Sequence, residues 1–169
     1  MNPDLFPIPG PWRGRLAIVT RPRGGDWIED EAAGWRRAGL DSVVSLLEKE
    51  EAAQLQLDHE RDAAASNGIN FISFPIPDRG VPASVPAVLS LLREIVGALE
   101  EGKSVALHCR QGVGRSGLIA AGVLMSSGME TEKAIDVVTT ARGVRVPETA
   151  AQLAWLHRLP SERPVAAAS

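Results

Sequence analysis

Residues 104–125 read SVALHCRQGVGRSGLIAAGVLM, two apolar segments joined by a glycine-rich loop. Its start, 104–107, has the composition of a buried strand, and its end, 118–125, continues as an apolar run long enough for a helix. Between the two lies a loop rich in glycine, which carries the chain's single cysteine, Cys109, and an arginine, Arg115. The pattern therefore predicts a strand, a tight loop and a helix, with a thiol where the strand ends and a guanidinium where the helix begins.

The residue types in this loop are those that bind a phosphate and attack it. The thiolate is the nucleophilic form of cysteine, and backbone N–H groups at a helix N-terminus favour both the thiolate and a bound oxyanion. Gly112 and Gly114 allow the backbone to curl so that these N–H groups converge. Arg115 can donate to two phosphate oxygens at once. Ser116 can donate its hydroxyl to the sulfur of Cys109 while a phosphorylated thiol is hydrolysed.

The other residues of the loop have supporting roles in this interpretation. We expect the ring of His108 to orient the loop through a hydrogen bond to nearby backbone. The residues expected to line the phosphate site between the cysteine and the arginine are Arg110, Gln111, Gly112, Val113 and Gly114. The alternative is a buried structural cysteine beside a surface arginine, which leaves the glycines and the flanking strand and helix unexplained.

A second candidate is Asp78, which lies 31 positions before Cys109 in a loop rich in proline and glycine, 74–82. The oxygen that leaves a phosphate ester needs a proton, and a carboxylic acid facing the thiol can supply it. A turn alone also explains an aspartate before Arg-Gly, so Asp78 is a candidate general acid, a turn residue, or both.

This pattern resembles the signature loop His-Cys-x5-Arg-Ser/Thr of the cysteine-dependent protein tyrosine phosphatase superfamily, and the distance to Asp78 resembles its dual-specificity branch. The resemblance implies a two-step hydrolysis through a phosphocysteine intermediate, without a metal or another cofactor. Cys109 would be the nucleophile, Asp78 the general acid and then the base, and Arg115 a phosphate ligand. The likeness covers about residues 30–159.

The segment 141–152, ARGVRVPETAAQ, resembles the kinase-associated phosphatase (cyclin-dependent kinase inhibitor 3) subgroup of that branch. There an Arg-Gly pair is followed by a threonine and, three positions later, a glutamine; here these are Arg142-Gly143, Thr149 and Gln152. In tyrosine-specific relatives a glutamine positions the attacking water, so Gln152 is a candidate for that role. A polar residue on an amphipathic helix is the simpler explanation of a single glutamine.

The chain contains no tyrosine and no match to the aromatic recognition loop of tyrosine-specific phosphatases. The resemblance therefore implies a shallower pocket that accepts phosphotyrosine, phosphoserine and phosphothreonine on proteins. An inositol phosphate is an alternative substrate, although lysines typical of that class are absent from the loop. A phospho-residue binding module without turnover is a further alternative, but such modules usually lack the cysteine, the arginine or the acid.

Composition limits the other classes. The chain has 169 residues, 44% hydrophobic and 23% charged, which suits one globular domain with a sizeable core. A net charge of −3 favours neither a nucleic-acid surface nor a membrane-binding one. The single cysteine excludes an internal disulfide. The first residues lack the basic and apolar pattern of a signal peptide and no apolar run reaches membrane-spanning length, so we expect neither a signal peptide nor a transmembrane segment. We expect a cytoplasmic monomer, although the sequence leaves the oligomeric state open.

Two further patterns raise the question of a metal. The acidic cluster 48–51 has the composition of a cation site, but a charged first turn of a helix explains it. His59 and His157 lie in predicted helices without ligands at suitable spacing, so we expect surface residues and no metal.

Apolar periodicity predicts an α/β fold, with a central, mainly parallel sheet of four to five strands and helices on both faces. The predicted strands are 15–20, 41–47, 69–76 and 103–109, and the predicted helices are 26–38, 48–56, 58–66, 84–101, 116–125, 130–142 and 148–159. We expect one catalytic domain at 15–159, an irregular N-terminal arm at 1–14 and a flexible tail at 160–169. A site at the carboxyl end of a central strand is where such sheets bind ligands.

Overall fold

The computed structural model describes residues 3–159, and a five-stranded sheet forms its centre. The strands are β1 (Leu5–Ile8), β2 (Arg15–Val19), β3 (Ser42–Ser45), β4 (Asn70–Ser73) and β5 (Ser104–His108). Their spatial order is β1-β2-β5-β3-β4, in which β1 pairs antiparallel with β2 and all other pairs are parallel. The predicted α/β fold with a mainly parallel sheet is confirmed.

Within residues 3–159, seven α-helices flank this sheet. They are α1 (Ile28–Arg37), α2 (Lys49–Gln54), α3 (Glu60–Ser66), α4 (Val85–Glu100), α5 (Gly114–Ser126), α6 (Thr131–Arg142) and α7 (Ala150–Arg158). Helix α4 begins after Ser84, whose hydroxyl accepts the N–H of Ala87 at 3.2 Å, and it ends before Gly102, which has a φ of +88°. These are the start and stop signals that an amphipathic helix needs. No helix among residues 3–159 is long and apolar enough to span a membrane.

Alternate residues of the central strands supply two apolar cores, because successive side chains point to opposite faces of a sheet. Val44 and Leu107 belong to the larger core, which α4, α5, α6 and α7 cover. Val43 and Ala106 belong to the smaller core, which α1 and α3 cover. The helices therefore lie on both faces, as predicted.

Strand β5 places the site. It lies between β2 and β3, and every one of its residues is buried. Because β2, β5, β3 and β4 are parallel, their carboxyl ends meet at one edge of the sheet, where ligands bind in such folds. The loop that follows β5 begins with Cys109, so the thiol lies at the centre of this edge.

Two sequence predictions differ from the structure. The arm 1–14 is not irregular throughout, because residues 5–8 form β1 and pair with β2. Pro7 obscured the strand, yet an edge strand accommodates proline since its free side needs no hydrogen-bonding partner. The predicted strand 69–76 ends at Ser73, because Pro75 and Pro77 lack the N–H that would continue the ladder. The predicted tail 160–169 lies outside the described residues.

Candidate active site

The loop between β5 and α5 curls around the sulfur of Cys109. The backbone N–H of Gly112 donates to Cys109 Sγ, with 3.2 Å between nitrogen and sulfur. Gly112 has a φ of +71°, in the left-handed region that glycine adopts without a Cβ clash. Helix α5 begins at Gly114, so its positive N-terminal end lies beside the loop. Both features stabilise negative charge on the sulfur or on an oxyanion bound above it.

Arg115, in the first turn of α5, is 2% exposed and bound on several sides. Its Nη1 donates to Glu51 Oε1 at 2.6 Å and to the carbonyl of Ile76 at 2.9 Å, and its Nη2 donates to Glu51 Oε2 at 3.0 Å. Burial opposes the charge of Arg115, but the hydrogen bond to Glu51 and the negative charges of Cys109, Glu51 and Asp78 outweigh it and raise its pKa. The guanidinium is therefore a fixed cation at the site.

Glu51 is a functional residue that the sequence reasoning missed. The acidic cluster 48–51 forms the start of α2, as expected, and there Glu51 Oε1 accepts the N–H of Glu48 at 3.0 Å. The same carboxylate also holds Arg115 at two points. Burial would raise the pKa of Glu51, but the hydrogen bonds from Arg115 and from the Glu48 N–H outweigh it, so its pKa is lowered. The sequence offered no signal for this pairing, because Glu51 stands in the charged stretch 48–51, which is typical of an exposed helix start.

A cavity of about 110 Å³ opens beside the sulfur. Its lining residues are Asp78, Arg79, Cys109, Arg110, Gln111, Gly114, Arg115 and Glu148. Asp78 has 54% of its side chain exposed, and its Oδ1 lies 3.2 Å from Arg115 Nη2. The structure thus brings together the predicted acid, thiol and guanidinium from three separate elements.

The rim of the cavity contains two ion pairs. Arg79 Nη1 donates to Glu148 Oε1 at 2.8 Å, which joins the loop of Asp78 to the segment before α7. Arg110 Nε lies 3.4 Å from Glu51 Oε2. Of the other predicted loop residues, Gln111 is exposed at the cavity, whereas Val113 packs against the larger core.

His108 contacts a carboxylate instead of the nearby backbone that we expected. Its Nε2 forms a hydrogen bond with Glu60 Oε2, and both side chains are buried. Its ring stacks on Trp35 with 6.5 Å between centroids. His108 Nδ1 has no partner among the residues that the structure describes. Glu60 lies 48 positions earlier at the start of α3, and nothing local in the sequence distinguishes it from a surface glutamate.

Ser116 and Gln152 occupy different settings. Ser116 is fully buried after Arg115, and its Oγ has no hydrogen-bond partner within residues 3–159. Gln152 is also buried, but its Oε1 accepts the N–H groups of Glu148 and Thr149, each at 3.1 Å, and its Nε2 donates to the carbonyl of Gly80 at 3.0 Å. Gln152 is not among the residues that line the cavity; it connects the start of α7 to the loop of Asp78. Its role towards water stays a prediction.

The histidines outside the site are exposed, as expected. His157 Nε2 lies 3.0 Å from Glu132 Oε1, and His59 precedes α3 on the surface. Within residues 3–159, no three His, Cys, Asp or Glu side chains are grouped as a metal site requires.

Known proteins share this sequence pattern. A family model described as a polymorphic toxin system DSP-PTPase phosphatase matches residues 17–129. The chain is 26% identical over 132 residues to cyclin-dependent kinase inhibitor 3 of Rattus norvegicus, covering 77% of this chain and 62% of that protein. It is 35% identical over 97 residues to the putative tyrosine phosphatase 197R of Invertebrate iridescent virus 6, covering 55% and 35%. The chain thus spans 62% of the length of the curated relatives that it matches first.

Solved structures share its fold. Tk-PTP in the active form superimposes with a TM-score of 0.73 at 35% identity, covering 86% of this chain and 91% of that one. Kinase associated phosphatase, with its catalytic-site cysteine replaced by serine, superimposes with a TM-score of 0.81, covering 93% of each chain. At 19% identity the second likeness is one of fold alone.

Proposed function

The chain belongs to the DSP-PTPase family of phosphatases, and from this premise we propose that it hydrolyses phosphomonoesters without a metal, through a phosphocysteine intermediate. The observation that carries the proposal is that Cys109, Arg115 and Asp78 line one cavity, with the Gly112 N–H donating to the sulfur. A nucleophile, a fixed cation and an acid at one point are what phosphoryl transfer requires.

In the first step, the thiolate of Cys109 attacks phosphorus, so an S–P bond forms while the P–O bond to the leaving group breaks. Asp78 in its carboxylic acid form gives its proton to the departing oxygen. Arg115 and the backbone N–H groups of the loop donate to the remaining phosphoryl oxygens. Arg115 Nη2 donates to Asp78 Oδ1 at 3.2 Å, so the cation and the acid lie side by side at the point where the phosphoryl group would bind.

In the second step, the carboxylate of Asp78 takes a proton from water, whose oxygen attacks phosphorus and breaks the S–P bond. The sulfur leaves as a thiolate, and the N–H of Gly112 and the hydroxyl of Ser116 stabilise it. The unpartnered, buried Oγ of Ser116 supports this assignment, because a hydroxyl without another acceptor is free to donate. Inorganic phosphate is released and the acid regains its proton.

The cavity supports a broad range of phosphorylated residues. None of the described residues that line it is aromatic, and it is small, so its walls do not select a phenyl ring. We therefore propose phosphotyrosine, phosphoserine and phosphothreonine on proteins as substrates. Because the nucleophile must stay a reduced thiol, we place the enzyme in the cytoplasm.

The first test is hydrolysis of p-nitrophenyl phosphate in the presence of EDTA, with wild type beside Cys109→Ser. We expect turnover in the wild type alone, and tungstate binding in both, because serine keeps the loop but is a poor nucleophile. Turnover in Cys109→Ser would refute the mechanism. Tungstate binding without wild-type turnover would instead support the binding-module alternative.

The acid is tested by Asp78→Ala, with Asp62→Ala on the exposed surface of α3 as the matched control. We expect kcat to fall by about 10²–10⁴-fold in Asp78→Ala and to be unchanged in the control. The loss should grow as the leaving group becomes more basic, because such groups need the proton most. A uniform loss across leaving groups would contradict the role of Asp78. Phosphotyrosine, phosphoserine and phosphothreonine peptides of one sequence would then define the range.

A further inference from the structure

Arg142 is the last residue of α6, and its guanidinium binds backbone carbonyl groups of the phosphate-binding loop. Its Nε donates to the carbonyl of Gly112 at 2.9 Å, and its Nη2 donates to the carbonyl of Gln111 at 3.1 Å. Arg142 is not among the residues that line the cavity, so it takes no part in the mechanism above. A half-buried guanidinium that binds two consecutive carbonyls is nevertheless a specific arrangement.

The geometry of the peptide group connects these carbonyls to the sulfur. A trans peptide is planar, so its C=O and its N–H point in opposite directions. The carbonyl of Gln111 shares one plane with the N–H of Gly112, and that N–H donates to Cys109 Sγ. The carbonyl of Gly112 shares the next plane with the N–H of Val113. Arg142 therefore holds two successive peptide groups with their N–H ends directed away from itself and into the loop.

The guanidinium is held in turn by the N-terminal strand. Its Cζ lies 4.1 Å from the centroid of the Phe6 ring, a cation–π contact. Phe6 pairs with Ile18 in the β1–β2 ladder, and Ile18 also lies under Gly112, where an added Cβ would meet it at 3.3 Å. The position of Arg142 thus depends on β1, the strand that the sequence analysis did not predict.

We propose that Arg142 is a positioning residue, which holds the Gln111–Gly112 and Gly112–Val113 peptide groups so that the N–H groups of Gly112 and Val113 stabilise the Cys109 thiolate and the bound phosphoryl group. The inference rests on the proposed function and adds a residue to it. The positive charge on the carbonyl side also polarises each peptide, which strengthens the hydrogen bond on its N–H side.

The test compares Arg142→Met and Arg142→Lys with the control Arg145→Met, which removes the same charge from an exposed position three residues later. The readouts are tungstate affinity, the pH dependence of alkylation of Cys109 by iodoacetamide, kcat with p-nitrophenyl phosphate, and thermal unfolding. The titratable and charged groups around the sulfur are unchanged in all three variants; they are Glu51, Asp78, Arg79, His108, Arg110, Arg115 and Glu148.

For Arg142→Met we expect tungstate to bind about tenfold more weakly and kcat to fall by about 10- to 100-fold, less than the loss from deleting an oxyanion donor outright. The alkylation profile should move to higher pH, because the thiolate loses an aligned donor. Arg142→Lys should recover part of each change, since an ammonium lacks the planar fork that donates to both carbonyls. Phe6→Leu should shift the same readouts in the same direction by a smaller factor.

The inference is overturned if Arg142→Met matches Arg145→Met in tungstate affinity and in the alkylation profile, even if it melts at a lower temperature. That result would leave Arg142 with a structural role only. Should Arg142→Met fail to fold, Arg142→Lys decides in the same way. A wild type that binds tungstate but does not turn over would refute the proposed function, while tungstate affinity and alkylation would still measure the positioning by Arg142.

Discussion

Replacing Glu51 with glutamine tests the contact between α2 and the phosphate-binding loop. Glu51 has 11% of its side chain exposed and Arg115 has 2%, and two hydrogen bonds of 2.6 and 3.0 Å join them. Breaking a buried ion pair by removing one partner costs about 3–5 kcal/mol, because the other charge stays buried. Glutamine retains one carbonyl acceptor, and Arg115 keeps the carbonyl of Ile76. We therefore expect Glu51→Gln to lose about 2–3 kcal/mol of unfolding free energy, less than the full cost of breaking a buried ion pair.

The assay is urea unfolding near neutral pH, with Glu50→Gln as the control. Glu50 is the preceding residue of the same helix and is exposed, so its replacement removes the same charge without the buried contact. With a slope of about 2 kcal/mol per molar urea, the midpoint of Glu51→Gln should fall by about 1–1.5 M. Glu50→Gln should stay within about 0.5 kcal/mol of wild type. Equal midpoints for the two variants would refute the reasoning.

The pH dependence gives a second criterion. The pKa of Glu51 is lowered in the folded protein, so its contribution is present above its ordinary value of 4.5 and is lost as the pH falls through the folded value. The stability difference between wild type and Glu51→Gln should therefore be largest near neutral pH and shrink as the pH falls below 4.5. If the difference in unfolding free energy does not change with pH, the stability lost in Glu51→Gln comes from altered packing and not from the lost charge.

Substitutions at three further positions test packing, helix propensity and helix capping. Gly117→Ala should destabilise the fold by about 1–3 kcal/mol, since its Cβ would lie 2.8 Å from Val146 Cβ; a melting temperature equal to that of wild type would contradict this. Gly97→Ala, inside α4 with no atom within 4 Å of the added Cβ, should instead raise stability by about 0.5–1 kcal/mol in the same melting experiment. Thr149→Ala removes the hydroxyl that accepts the Gln152 N–H at 3.1 Å, and should cost about 1 kcal/mol in urea unfolding, whereas Thr149→Ser should restore it.

The architecture followed from local pattern wherever that pattern was unambiguous. The helix at 84–101 and the buried strand at 103–109 were predicted to within a residue or two. Their apolar spacing and the glycine that ends the helix are signals contained in the sequence of each element. Strand β1 was missed because four residues containing a proline show no alternation to detect. Its pairing with β2 exists only once the sheet has formed.

The candidate site divides in the same way. Cys109 and Gly112 belong to one short loop and Arg115 to the first turn of the helix that follows it, so their mutual placement follows from local chain geometry and could be predicted together. Asp78 could be proposed because it lies in a loop rich in proline and glycine, and its distance before Cys109 resembles that of the dual-specificity branch. Its position 3.2 Å from Arg115, however, depends on the order of the strands. Sequence order alone does not specify that β4 lies two strands from β5.

Local sequence pattern is enough to predict the strand-loop-helix unit around the cysteine and the alternating elements that make the sheet parallel. The distant side chains that support this unit become apparent only in the folded chain: Glu51 binds Arg115, Glu60 binds His108, and Arg142 binds the loop carbonyls. The physical reason is that each partner lies on a different helix, at least 30 positions away, where its own neighbours determine only that a helix forms. Burial of the two apolar cores determines which helix packs beside the loop. The buried charged side chains then pair with the polar groups that this packing brings next to them.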